Sequence, residues 1–139
     1  MEKIKVQLDP GAYMPERAYQ EDAGADLRSP YRFTLWPGEC KAINTGVHVE
    51  IPKGYMIDVR SKSSLMRDYG IFTDSTIDSG YSGSITVFLF NFSKKIATFK
   101  AGQKIAQIVL TKIETPEFEQ VERIEGGERG NRGFGSSGR

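Results

Sequence analysis

Ser84-Ile85-Thr86-Val87-Phe88-Leu89-Phe90-Asn91-Phe92 is the stretch whose reading decides the fold. Ile85, Val87 and Leu89 recur with the period of two that marks a strand, and Phe88, Phe90 and Phe92 make the opposite side apolar as well. A sheet with one wet side needs only one such row. A second cover is therefore expected, supplied either by another layer of the same chain or by a subunit interface.

The same alternation returns in Ile4-Val6-Leu8, Tyr31-Phe33-Leu35 and Val47-Val49-Ile51. Turn signals punctuate these runs at Asp9-Pro10-Gly11, Trp36-Pro37-Gly38, Pro52-Lys53-Gly54, Asp78-Ser79-Gly80 and Lys100-Ala101-Gly102. Short strands separated by tight turns predict an all-β chain, a jelly roll or a related barrel or sandwich. One helix of about two turns is expected over Ser63 to Tyr69, with a serine able to cap its start and Gly70 placed to end it. Glu117 to Ile124 reads as a short polar strand.

The 139 residues suit one domain with one core. Nineteen Lys and Arg against eighteen Asp and Glu leave a net charge of +1, so no global field favours nucleic acid. No apolar run reaches the ~18 residues of a membrane span, and the alternating start Glu2-Lys3-Ile4-Lys5-Val6 does not read as a signal peptide. A lone cysteine, Cys40, fits a reducing compartment and is expected as a small core residue. The expected location is the cytoplasm. His48 and Trp36 read as packing residues.

A boundary is expected near residue 125, with 1–125 as the folded domain and 126–139 as a flexible tail that holds six of the fifteen glycines. Three readings of this tail compete. It is a solvated end, an Arg/Gly segment for single-stranded nucleic acid, or a lid in which glycines and serines cradle a phosphate and Phe134 stacks on a base. The tail alone does not choose between them.

Four further segments carry polar residues where chemistry is possible. Asp26 in Ala23-Gly24-Ala25-Asp26-Leu27 reads by itself as a turn or cap, and Arg60 in Arg60-Ser61-Lys62-Ser63-Ser64-Leu65 as a solvated end of a strand. Asp78 in Ile77-Asp78-Ser79-Gly80-Tyr81-Ser82-Gly83 reads singly as turn chemistry. Gln107 in Gly102-Gln103-Lys104-Ile105-Ala106-Gln107 interrupts a buried strand and needs a hydrogen-bond partner.

In this order and at these separations, the four segments and Arg129-Gly130-Asn131-Arg132-Gly133-Phe134-Gly135-Ser136-Ser137-Gly138 resemble the five motifs of the trimeric dUTPase family. The resemblance covers residues 23 to 138. It implies a distorted jelly-roll barrel assembled as a homotrimer, with a C-terminal strand and tail reaching a neighbouring subunit and each site built from three chains. The implied reaction is Mg²⁺-dependent hydrolysis of dUTP to dUMP and pyrophosphate, which limits uracil incorporation into DNA. By the same resemblance Asp78 activates the attacking water, and Asp26 acts through a Mg²⁺-bound water and holds Arg60. Arg60, Ser61, Gln107, Arg129, Ser136 and Ser137 contact phosphates. Tyr81 packs on deoxyribose, the main chain around Ile77 reads uracil, and Phe134 stacks on the base.

Three positions depart from the family pattern. Phe72-Thr73-Asp74-Ser75 lacks the usual asparagine, Arg132 stands where glycine is usual, and Lys62 separates Arg60-Ser61 from the following Ser-Leu. Arg60 is preferred over Lys62 for the phosphate position, because Ile57-Asp58-Val59 runs straight into it and a guanidinium fork suits phosphate. The alternatives are a dCTP deaminase-like enzyme, against which the Phe-Gly-Ser-Ser-Gly tail argues, and a dUTP-sensing module that reports to a protein partner.

Overall fold

A computed structural model gives the fold and describes residues 3–133 and Gly135. In chain order the elements are β1 (Val6–Leu8), β2 (Gly24–Arg28), β3 (Phe33–Leu35), β4 (Cys40–Asn44), β5 (Val47–Val49), β6 (Tyr55–Arg60), α1 (Ser63–Tyr69), β7 (Ile71–Phe72), β8 (Asp74–Asp78), β9 (Thr86–Asn91), β10 (Ala97–Phe99) and β11 (Lys104–Lys112). Every strand pairing is antiparallel. The order β2-β11-β6-β8 makes the largest sheet, β4-β9-β7 the next, and the pairs β1-β5 and β3-β10 complete the set. The all-β expectation holds. The sheets remain open where the sequence suggested a closed barrel, because a single chain leaves β8 and several other strands at sheet edges.

Alternation decides what is buried. Leu27, Val59, Val87, Leu89, Ile43 and Ile105 are fully enclosed, and the facing rings of Phe33 and Phe99 stack with centroids 4.6 Å apart across β3-β10. α1 turns Leu65 into this core and ends at Gly70, whose φ of 62° is the left-handed conformation that glycine adopts without a Cβ clash. Its first residue is preceded by Lys62 rather than by a capping serine, and no side chain caps the start. The chain enters the helix extended from β6 with Ser61 already committed elsewhere, as described below.

Among the described residues, none covers the second side of β9 fully. Phe88, Phe90 and Phe92 are 43%, 38% and 72% exposed, and Phe72 joins them edge-on to Phe92. Cys40 stands opposite Phe90 on this same outer face and is exposed, so the expectation of a core thiol was wrong: β4 turns Ile43 inward and Cys40 outward. Trp36 is likewise exposed at its turn, with only its backbone N–H donating to Glu39 Oε1. Beyond β11 the described residues form neither strand nor helix, and those from Glu114 to Gly133 are exposed. The strand expected over Glu117 to Ile124 does not form among the described residues. No helix among the described residues is long and apolar enough to cross a membrane.

Asn91 closes the inner face of β9. Its Nδ2 donates to the carbonyls of Leu35 and Lys95 at 3.1 and 2.8 Å, and its Oδ1 accepts from the Ser93 N–H and hydroxyl at 3.0 and 2.7 Å. Replacing it by leucine strands several buried partners at once, each costing about 1–3 kcal/mol. Asn91→Leu is expected to lower the urea midpoint by about 2–4 kcal/mol worth of stability with an unchanged m-value; a loss below about 0.5 kcal/mol would refute this role.

Candidate active site

The four-stranded sheet builds one polar row. Gln107 lies opposite Asp26 on one side and Arg60 on the other, and Arg60 lies opposite Asp74. Directly opposed residues share a face, so Asp26, Gln107, Arg60 and Asp74 stand side by side on the face turned away from Leu27, Val59 and Ile108. A bulge between Lys104 and Ala106 adds one residue to β11 and turns Lys104 toward the same end.

Asp26 is the buried member, its side chain 9% exposed. Lys62 Nζ donates to its Oδ1 at 2.7 Å and Lys104 Nζ approaches Oδ2 at 3.1 Å. Burial alone would raise the carboxyl's pKa; the hydrogen bonds and charges of the two lysines outweigh it and hold the group below the ordinary 3.8. The expectation that Asp26 holds Arg60 is therefore corrected. Arg60 is the last residue of β6 and pairs with Asp58, two residues back on the same face, at 3.2 Å and with 63% of its side chain exposed. Lys62 sits where the chain bends into α1, and that bend brings its ammonium over β2.

Ser61 and Gln107 are committed to scaffolding. The Ser61 hydroxyl donates to the Thr73 carbonyl and accepts from the Thr73 N–H, both at 2.9 Å. Gln107 Nε2 donates to the Ser61 carbonyl at 3.0 Å, which supplies the partner its burial required. A Cβ on Gly24 would fall 2.0 Å from Gln107 Oε1, so the glycine before Asp26 makes room for that reach. Together they border a cavity of about 380 Å³ lined by Arg60, Ser61, Ser63, Thr73, Asp74 and Gln107.

A second cavity, of about 350 Å³, lies at the free edge of β8 and is lined by Ser75, Thr76, Ile77, Asp78, Tyr81 and Phe88. Asp78 ends β8 exposed, and the Tyr81 N–H donates back to its carbonyl at 3.0 Å to close the following turn. Tyr81 OH donates to the Ser84 carbonyl at 2.7 Å, which fixes the ring's direction. The two cavities share no lining residue. Asp26 and Asp78 are separated by about 14 Å across the strands and about 13 Å along them, from three strand spacings and four residues of register. Arg129 lies in the C-terminal segment, where its Nη2 donates to the Gly133 carbonyl. Phe134, Ser136 and Ser137 lie outside the described residues.

The dUTPase family model matches residues 11–138. The chain belongs to the dUTPase family. A deoxyuridine 5'-triphosphate nucleotidohydrolase of Caldanaerobacter subterraneus is 38% identical over 130 residues, covering 91% of this chain and 86% of that protein. One from Fusobacterium nucleatum is 37% identical over 142 residues, covering 99% and 97%. Among solved structures, a variant of the Staphylococcus bacteriophage 80alpha dUTPase with dUpNHpp superposes with a TM-score of 0.89 at 32% identity, each chain covered in full. The dUTPase of phage phi11, described with a structural Mg(II) ion, superposes at 0.84 with 29% identity, covering 90% of this chain and all of that one. The likeness to these dUTPases supports the jelly-roll fold.

Lys104 was missed by sequence reasoning and Lys62 was ranked behind Arg60. Lys62 lies two residues after Arg60 and so shares its alternation, the signal that could have promoted it. Lys104 is brought to Asp26 by the bulge, which no local pattern announces. Burial separates the two cations in an experiment. Lys62→Met is expected to cost about 2–4 kcal/mol at neutral pH, because it leaves a buried carboxylate with one partner, whereas Arg60→Met costs less than about 0.5 kcal/mol. The lowered pKa of Asp26 stabilises the fold above pH ~4, and that contribution disappears as the pH falls through the folded value. The difference between the variants therefore narrows toward pH ~3; equal urea midpoints at neutral pH would contradict the assignment of Lys62.

Proposed function

We propose that the chain hydrolyses dUTP to dUMP and pyrophosphate in a site shared by three copies of itself. The observation that carries the shared site is the split within one chain: Asp78 and Tyr81 border one cavity, and the Asp26-Lys62-Lys104 cluster with Arg60 lies beside another. One triphosphate meets both groups when the Asp78 cavity of one copy abuts the Arg60 cavity of the next. The exposed phenylalanines of β9 and the exposed segment after β11 support the same reading, since both offer surface to another copy. Residues 126–139, with Arg129 and the glycines, would then reach a third copy and close over the nucleotide, Phe134 on the base and Ser136 and Ser137 on the terminal phosphate.

In this mechanism the Asp78 carboxylate orients a water for attack on the α-phosphorus and receives its proton. The new bond is from water oxygen to phosphorus; the bond that breaks is from the α-phosphorus to the oxygen bridging to the β-phosphate, and pyrophosphate departs. A carboxylate is a weak base for water, so in-line positioning and neutralisation of phosphate charge by Arg60, Lys62 and Arg129 supply most of the rate. Bound Mg²⁺ would add to that neutralisation. Each Asp26 oxygen keeps lone-pair capacity beyond its lysine contact, which fits a water of the ion's hydration shell better than direct ligation.

Tyr81 lies against the sugar and leaves no room for a 2′-hydroxyl. The open edge of β8 around Ile77 offers unpaired main-chain donors and acceptors to uracil. With no asparagine ahead of it, and β7 joined to β8 by Thr73 alone, that edge carries the base reading. Family membership favours hydrolysis over deamination of dCTP. A cytoplasmic setting suits a nucleotide hydrolase with one exposed thiol, Cys40.

Asp78→Asn is expected to keep dUTP binding in calorimetry while kcat falls about 10²- to 10⁴-fold, the range for losing a general base; near-normal turnover would sink the role of Asp78. Phe90→Glu is expected to move the sedimenting species from three chain masses to one while the far-ultraviolet strand signal persists. A trimer that survives this charge would mean that the aromatic face is not the interface.

A further inference from the structure

His48 on β5 makes a contact that neither the fold nor the proposed chemistry has yet used. The loop from Ser79 to Ser84 carries Tyr81, and two of its hydrogen bonds are local: Tyr81 N–H to the Asp78 carbonyl and Tyr81 OH to the Ser84 carbonyl. Among the described residues, the one hydrogen bond from this loop to another element joins His48 Nδ1 and the Ser82 carbonyl at 2.8 Å. The other ring nitrogen, Nε2, lies 3.0 Å from Asp9 Oδ1. Asp9 is itself anchored, its N–H donating to the Gly46 carbonyl at 2.9 Å and its carbonyl accepting from the Ala12 N–H at 3.0 Å. The ring thus spans from a fixed turn after β1 to the loop that holds Tyr81.

Both partners of the ring are acceptors. A neutral imidazole carries one N–H and satisfies one of them; only the imidazolium donates to both. The Ser82 carbonyl and then, against the effect of desolvation, the Asp9 carboxylate raise the pKa of His48 above the ordinary 6.5. The remaining charged groups around the ring are Lys5 and Glu50, which pair with each other at 3.8 Å, and the uncharged Gln7 faces it across β1. Tyr81 forms a wall between two cavities. One side faces Asp78, and the other faces a space of about 370 Å³ bordered by Lys5, Gln7, His48 and Glu50. If the His48 contact were lost, Tyr81 could retreat into that space.

We infer that His48 is a positioning residue for sugar selection: its imidazolium braces the Ser79 to Ser84 loop against Asp9, keeps Tyr81 packed on deoxyribose, and weakens the rejection of ribose when it gives up its proton. This rests on the reading of Tyr81 as the sugar contact. The brace is complete below the ordinary histidine pKa and is lost as the pH rises through the raised value.

His48 is the only histidine in the chain, so its C2–H proton resonance reports its titration without assignment. The ratio of kcat/KM for dUTP over UTP is measured from about pH 6 to about pH 9 and compared with that titration. In the unsubstituted protein the ratio should fall about tenfold, the factor matching loss of one charge-assisted hydrogen bond, with the midpoint of the resonance. Asp9→Asn should move both midpoints down together, and His48→Gln should give a low ratio that is flat with pH. A ratio unchanged across the His48 titration, or a midpoint that ignores Asp9→Asn, overturns the inference. Tyr81→Ala separates the two ideas: an unchanged ratio there removes the sugar contact itself, while a reduced ratio there beside a flat pH profile removes only the part assigned to His48.

Discussion

A strand that is apolar on both sides has to be covered twice, and this chain covers β9 once. Val87, Leu89 and Asn91 are buried, whereas Phe88, Phe90 and Phe92 stand in a row that the described residues leave exposed. Apolar area left in water forfeits about 25 cal/mol per Å², so a cluster of phenylalanines is a strong reason for copies to associate. The open sheets follow from the same constraint. β4-β9-β7 does not close with β2-β11-β6-β8 into a barrel, and among the described residues the segment after β11 joins no sheet.

The polar side of the four-stranded sheet solves a different problem, that of gathering cations without scattering them. Asp26 is a buried anion that gives two lysines a fixed address. Gln107, Ser61 and Thr73 lock the bend from which Lys62 projects, and Gly24 supplies the space that lock needs. Arg60 is paired only with Asp58 at 3.2 Å and keeps most of its side chain exposed. On the proposed reading, paired lysines and an exposed arginine would divide the work, since a preorganised field needs fixed charge while a bidentate clamp needs reach.

Much of this was legible in the sequence. Period-two runs located β1, β3, β5 and β9, the Ser63 to Tyr69 helix ends at the glycine chosen for it, and the double-sided apolarity of residues 84–92 marked the face that stays open. The polar motifs lie along the two cavities, but the contacts within them were less legible. Arg60 and Lys62 have the same parity, and only the bend into α1 decides which of them meets Asp26. Lys104 needed a bulge, and the exchange of hydrogen bonds between the Ser61 hydroxyl and the Thr73 main chain joins residues twelve apart, which no local pattern announces. Cys40 failed because a small residue beside a turn looks like core until the direction of the strand is known.

The position of Asp78 completes the physical picture. It ends an edge strand, β8, which among the described residues has a strand neighbour on one side only, and an exposed strand edge is ordinarily a liability for aggregation. Here the edge is short, polar at Ser75 and Thr76, and bordered by the Tyr81 turn, so it suits a flat heterocycle better than another strand. A carboxylate at the end of such an edge is set at a fixed offset from whatever base docks there. That offset is useful only when phosphate charge is met from the far side, and within one chain the lysine cluster is too distant to do so. On the shared-site reading an isolated copy therefore holds an acid without its cations, and assembly is what turns a nucleotide-binding edge into a hydrolytic site.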